Sequence, residues 1–313
     1  MTATATPTAT ASPSPTPTLT PTPDPYAGLT IADLSARSYG GGELQVVQAL
    51  GENGSFTRSL VTFPSDGLTI YGFMNVPQGP GPFPVVVVVH GYVNPVGYQT
   101  LTYTTRYADA LARAGYLVIH PNLRGYPPSD DGDNRFRVGF AVDVLNLLAV
   151  IRSQGGQPGP LEKADPQRIG LWGHSMGGGI TIRTITIDAG VRAAVLYGAM
   201  SGDERLNFER IYTVFSNGTR GGEELNTPAE DFARIFPIFS LDRVQAAVSI
   251  HHGEADTEVP PEWSLDLCGR LRELNKAVEC FSYPGQPHTF NGDSDQVFIQ
   301  RSIDFYNRYL RGE

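Results

Sequence analysis

The chain has 313 residues, which suits one large α/β domain or two small ones, and 40% of them are hydrophobic, enough for a sizeable core. It carries 23 basic against 32 acidic residues, net −9, and only Lys163 and Lys276 are lysines. The arginines are scattered and no basic stripe or run of about 18 apolar residues occurs, which argues against a nucleic-acid partner, a polybasic membrane patch and a membrane span.

Residues 1–27 are mostly Thr, Pro, Ala and Ser. Such a segment cannot bury apolar surface, so a disordered linker is expected, with a catalytic domain over 28–313. Thr/Pro tracts suit a stalk, so the chain is expected to be secreted or tethered at the cell surface.

Three strands are predicted first, Leu44–Leu50, Phe56–Phe63 and Leu68–Val76, with turn signals at Gly51-Glu-Asn-Gly54 and Pro64-Ser-Asp-Gly67. Short turns between consecutive strands predict an antiparallel edge. The run Pro84–Val89 is β-branched without alternation, as in a strand buried on both faces of a parallel sheet. Helices and strands then alternate. They are helix Leu101–Ala114, strand Tyr116–His120, helix Val138–Arg152, strand Arg168–Gly173, helix 176–188 and strand Arg192–Tyr197. After an irregular stretch come strand Ala246–His251, helix Glu262–Leu274, strand Val278–Tyr283 and helix Gln296–Leu310. The fold class is α/β, a doubly wound and mostly parallel sheet with antiparallel N-terminal strands.

The irregular stretch, about 200–240, contains Phe208, Tyr212, Phe215, Phe232, Phe236 and Phe239. It follows the C-terminal end of a parallel strand, where ligands bind in open α/β sheets, and reads as a cap over the substrate pocket. Tyr92, Phe208, Tyr212, Phe215 and Trp263 are the candidates for contact with substrate.

The densest chemical signal is Gly173-His174-Ser175-Met176-Gly177, set between a strand and a helix. A serine on a tight strand-to-helix turn is pushed clear of the sheet, and the small residues around it let strand and helix approach. The N–H of Met176 then lies at a helix N-terminus, aimed at a developing oxyanion. A serine hydroxyl needs a base, and the base needs a carboxylate behind it. His288, in the loop after the last strand, is the candidate base. In His252-Gly-Glu-Ala-Asp-Thr-Glu-Val-Pro260, Asp256 at the loop apex is the candidate acid, with Glu254 and Glu258 as surface charges and His251 and His252 in packing or hydrogen bonding. His90-Gly91-Tyr92 ends the early central strand, so the Tyr92 N–H is the second candidate oxyanion donor. Cys268 and Cys280 fit no metal-ligand pattern. They are either one disulfide joining a helix to the next strand or two buried thiols.

With these residues placed, the chain resembles the α/β-hydrolase superfamily, and within it the prolyl-oligopeptidase-like and dienelactone-hydrolase-like esterases. The matching segments are His90-Gly91-Tyr92, Asn122-Leu-Arg-Gly-Tyr126, Arg168 to Gly178, His252 to Asp256 with Val259-Pro260, and Tyr283 to His288. The resemblance implies Ser175 as nucleophile, Asp256 as acid, His288 as base, Tyr92 and Met176 as oxyanion donors, and Arg124 as a brace for nearby loops. Residues 28–83 are too few for the β-propeller of prolyl oligopeptidases. Elbow and oxyanion loop are also similar to those of polyester hydrolases and cutinases, which lack an insertion like 200–240. The expected activity is serine carboxylesterase on short-chain or aryl, including hydroxycinnamoyl, esters. Peptidase action on short peptides, with Arg205, Arg210 or Glu204 at a peptide terminus, and polyester hydrolysis are the alternatives. A small-molecule ester is the expected partner, with no metal or organic cofactor.

Overall fold

A computed structural model describes residues 1–5 and 23–313. Most of the expected linker therefore lies outside the described residues. Helix α1 (Ile31–Ala36), which the sequence reading did not anticipate, precedes strands β1 (Gln45–Glu52), β2 (Phe56–Ser65), β3 (Leu68–Pro77) and β4 (Phe83–Val89). Then come α2 (Thr105–Arg113), β5 (Leu117–Pro121), α3 (Val138–Gln154), β6 (Ala164–His174), α4 (Met176–Ile187) and β7 (Ala193–Tyr197). Three short helices, α5 (Glu204–Arg210), α6 (Gly222–Leu225) and α7 (Ala229–Ile235), fill the irregular stretch. The chain ends in β8 (Ala247–Gly253), α8 (Pro261–Glu273), β9 (Val278–Tyr283) and α9 (Gly292–Tyr306).

The nine strands form one sheet in the order β1-β2-β3-β5-β4-β6-β7-β8-β9. The pairs β1–β2, β2–β3 and β3–β5 are antiparallel and all the others parallel. Asp66 and Gly67, with φ of 51° and 83°, close the β2–β3 hairpin by the doubly left-handed turn that matches strand twist. The valine run of β4 divides between the two faces. Val85, Val87 and Val89 enter the core beneath α3 and α4, whereas Val86 and Val88 meet Tyr107, Leu111, Phe298 and Tyr306 of α2 and α9. With both faces covered, no polar alternation survives in the sequence.

Two boundaries differ from expectation. Helix α2 starts at Thr105 rather than Leu101, because the β-branched threonines at 100, 102, 104 and 105 favour a looser lead-in. That leaves Tyr103 in a loop. Strand β6 begins four residues earlier than predicted, at Ala164, with an irregular register against Pro84 and Val85. Cys268 of α8 and Cys280 of β9 are joined as a disulfide. Among the described residues no helix is long and apolar enough to cross a membrane.

Candidate active site

Strand register fixes which loops meet. In β4, Val89 pairs with Gly173 of β6, so the His90–Tyr92 loop leaves the sheet beside the turn at Ser175. In β8, Gly253 pairs with Tyr283 of β9, which sets the Asp256 loop beside the His288 loop. The backbone N–H groups of Glu254 and Ala255 donate to Tyr283 and Gln286 at 3.0 Å each, zipping these two loops together. All four segments emerge at the C-terminal ends of parallel strands, where β4 has β5 on one side and β6 on the other.

Ser175 has φ 55° and ψ −120°, a conformation that non-glycine residues rarely hold and that the surroundings over-determine. Its N–H donates to the Tyr197 carbonyl at 2.9 Å, and its carbonyl accepts from Gly178 and Met200 at 3.0 Å each. The glycines at 173 and 177 answer a packing demand. A Cβ on Gly177 would strike the carbonyls of Val89 and His90, and one on Gly173 would strike the Gly177 carbonyl and Thr181. The Met176 N–H is the first of α4 and has no intrahelical acceptor.

Asp256 and His288 are both buried. His288 Nδ1 lies 2.7 Å from Asp256 Oδ2. The other carboxylate oxygen accepts the N–H groups of Glu258 at 2.8 Å and Val259 at 2.9 Å. Burial alone would raise the pKa of Asp256. The hydrogen bonds from His252, His288 and the Val259 backbone outweigh it and hold the carboxyl well below the usual range. Glu258 is exposed, yet its Oε2 sits 3.9 Å from His288 Nε2, so it is more than a remote surface charge.

Ser175, His288, Tyr92 and Met176 all line one cavity of about 580 Å³. The insertion supplies a wall through Phe208, Ile211, Phe215, Arg220, Gly221 and Glu224. The Arg220 guanidinium lies 5.2 Å from the centre of the Tyr92 ring, so the insertion and the His90–Tyr92 loop meet across the cavity. Tyr212 and Trp263, expected at the substrate, are not in the lining. Ile211 and Phe215 are four residues apart on one face of a helical turn, and Tyr212 points away, against Gly218 and Gly222. Trp263, on the first turn of α8, packs onto the core. Phe232 and Phe236 stack with each other in the core at 4.7 Å, and Phe239 is exposed. Sequence reasoning missed Tyr103, Arg137 and Phe140 in the lining, while Tyr126 lay unassigned within a quoted motif.

The charged residues beside the cavity are mostly engaged. Arg124 is buried and grips Asp143, with Nη2 to Oδ1 at 2.8 Å, and donates to the Asp133 carbonyl at 2.7 Å, bracing the 122–133 loop. Glu204 is buried between Arg137 and Arg183. Arg210 donates to the carbonyls of Thr257 and Glu258, tying the insertion to the Asp256 loop, and Arg205 lies over the Phe232 ring at 4.7 Å.

Sheet order, the turn at Ser175 and the loop positions are those of the α/β-hydrolase fold. The dienelactone hydrolase family model matches residues 70–309, and the chain belongs to that family of hydrolases. It is 27% identical over 245 residues to the uncharacterized peptidase YtmA of Bacillus subtilis, covering 77% of this chain and 90% of that one. Among solved structures it is similar to the acylaminoacyl peptidase of Pyrococcus horikoshii, with TM-score 0.66 and 23% identity. That match covers 82% of this chain and spans 42% of the peptidase. The acetyl xylan esterase 1 of Thermoanaerobacterium matches with TM-score 0.63 and 17% identity, over 85% of this chain and 89% of that one. At such identities the two structures speak for the fold.

Proposed function

We propose that the chain is a serine carboxylesterase working through an acyl-enzyme. The observation that carries the reading is the Asp256–His288 pair at 2.7 Å, facing the same cavity as a serine held at positive φ. Ser175 Oγ attacks the ester carbonyl, and His288 Nε2 takes its proton and returns it to the leaving alcohol. Asp256 holds Nδ1–H and stabilises the imidazolium. The N–H groups of Met176 and Tyr92 receive the oxyanion, each such donor contributing about 2.7–4 kcal/mol to the transition state. Water then releases the acid by the same route.

The aromatic lining from Tyr92, Tyr103, Tyr126, Phe140, Phe208 and Phe215 favours a short-chain or aryl acyl group, including hydroxycinnamoyl. Against a peptide terminus stands the engagement of Arg205, Arg210 and Glu204 within the protein. The disulfide and the Thr/Pro-rich segment favour an exported enzyme.

Peptidase action on short peptides is the competing reading, favoured by the name of the Bacillus relative and by the Glu258 carboxylate beside His288. Initial rates of wild type and Ser175→Ala on p-nitrophenyl esters of increasing chain length, beside dipeptidyl p-nitroanilides, separate the two. The esterase reading predicts ester turnover that vanishes in the variant, with negligible anilide cleavage. Comparable anilide cleavage makes the chain a peptidase.

A further inference from the structure

His174, the residue before the candidate nucleophile, is buried and does not reach the cavity lining. Its Nε2 lies 3.0 Å from the backbone carbonyl of His288, and its ring is centred 4.6 Å from the His288 ring. Its Nδ1 lies 2.7 Å from the Tyr103 hydroxyl. A carbonyl only accepts, so Nε2 must carry a proton. Burial, then the neighbouring His288, lowers the His174 pKa to about 3, so the ring is neutral and Nδ1 is bare. The Tyr103 O–H therefore donates to Nδ1. The titratable groups around the ring are Tyr103, Tyr197, His252, Asp256 and His288.

Every atom in this chain has one available role. The His288 carbonyl selects the Nε2–H tautomer, the Tyr103 hydroxyl supports it by donating to the bare Nδ1, and the Nε2 proton pins the carbonyl of the residue whose side chain is the candidate base. Asp256 and the more distant Glu258 act on the His288 side chain alone. A histidine held at both its carbonyl and its ring can turn only within a narrow range. We propose that His174, held as its Nε2–H tautomer between the His288 carbonyl and the Tyr103 hydroxyl, is a positioning residue that holds His288 in line with Ser175. The inference rests on the serine-hydrolase reading for its catalytic consequence but not for the tautomer itself.

The test uses the full chain with Tyr103→Phe, His174→Gln and His174→Leu. Gln keeps a donor near the Nε2 position, and Leu keeps none. Misplacing a reacting group costs on the order of tenfold or more in rate, so Tyr103→Phe and His174→Leu are expected to lose about tenfold or more in kcat with KM little changed. His174→Gln is expected to recover most of that loss. Equal kcat in the Gln and Leu variants, or wild-type kcat in Tyr103→Phe, overturns the proposal. Nitrogen-15 spectra of the imidazoles give a readout independent of turnover. The wild type should hold His174 as a single neutral Nε2–H tautomer from pH 8 to 5. An Nδ1–H tautomer, or a mixture, in the wild type also overturns the proposal, and it decides the matter if His174→Leu does not fold. Wild type that reacts with no ester and no fluorophosphonate defeats the hydrolase reading instead, leaving the spectra to judge the tautomer.

Discussion

His252 donates to the same carboxylate oxygen of Asp256 that holds His288, with Nε2 to Oδ2 at 3.0 Å. Its Nε2 also lies 3.0 Å from the Val259 carbonyl, and its Nδ1 lies 2.6 Å from Ser264 Oγ. Two acceptors at Nε2 require a proton there, and Ser264 Oγ completes the ring's hydrogen bonding at Nδ1. Asp256 therefore has four donors, two per oxygen, which offset the cost of burying the carboxylate. A hydrogen bond to a charged group contributes about 1.5–3 kcal/mol, so His252→Ala should lower the unfolding free energy by that order. It should also reduce kcat/KM, because the carboxylate is freed to turn. Urea titration and ester kinetics check this, and unchanged values on both would show that His252 merely fills space.

His120, His174 and His251 are buried, and burial lowers the pKa of each, to about 3 for His174 and His251. A histidine whose folded value lies below the unfolded value of about 6.5 takes up a proton on unfolding. Its stabilisation is complete above about pH 6.5 and is lost as pH falls from there toward the folded value. Each such histidine adds a slope of up to about 1.4 kcal/mol per pH unit in that window. Asp256, with its lowered pKa, adds a further loss only below the ordinary carboxylate range. Urea midpoints at pH 8, 6.5 and 5 should fall slightly between the first two and clearly at the third. A flat profile to pH 5 would mean these histidines are hydrated.

Gly91 is wedged between the Tyr103 hydroxyl and Ser175, whose Cβ would be 3.0 Å from an added methyl. Its substitution cannot be absorbed by a flexible side chain, since Tyr103 is held by His174 and Ser175 by the elbow backbone. Gly91→Ala should displace the oxyanion loop and cost on the order of a hundredfold in kcat/KM, the usual penalty for losing one oxyanion donor. Ester kinetics beside a circular dichroism melt measure it. Near wild-type kcat/KM would place the oxyanion donor elsewhere.

The Cys268–Cys280 disulfide closes a short loop between α8 and β9, with 12 residues of sequence separation. By loop-closure entropy such a crosslink stabilises by about 3 kcal/mol. The double variant Cys268→Ser/Cys280→Ser should unfold at lower urea by a corresponding amount, and dithiothreitol should shift the wild type but not the variant. Identical midpoints would mean that strain or residual structure offsets the crosslink.

The candidate site was legible where chemistry is bound to local backbone. Gly173 to Gly177 marks its own turn, because only glycine fits where strand and helix touch, and chain order then points to Asp256 and His288. The central strands were legible because two covered faces demand unbroken valine and alanine. What stayed hidden depends on tertiary proximity. Tyr103 read as part of a helix, 71 residues from the His174 it bonds, and nothing local marks either as a partner. His252 looked like a strand-end histidine because its role is set by the return of the loop through Val259. Aromatics of the insertion could not be sorted from composition. Phe208 and Phe215 face the cavity, Phe232 and Phe236 face the core, and the direction of each depends on short helices with weak signals.

The central claim is that Ser175 is the nucleophile activated by His288. Treating wild type, Ser175→Ala and His288→Ala with a fluorophosphonate and mapping the adduct by peptide mass spectrometry tests it most directly. The account predicts one adduct in wild type, on the peptide containing Ser175, none in Ser175→Ala, and labelling slowed by on the order of a thousandfold in His288→Ala. An adduct on another residue, or full-rate labelling without His288, would contradict it.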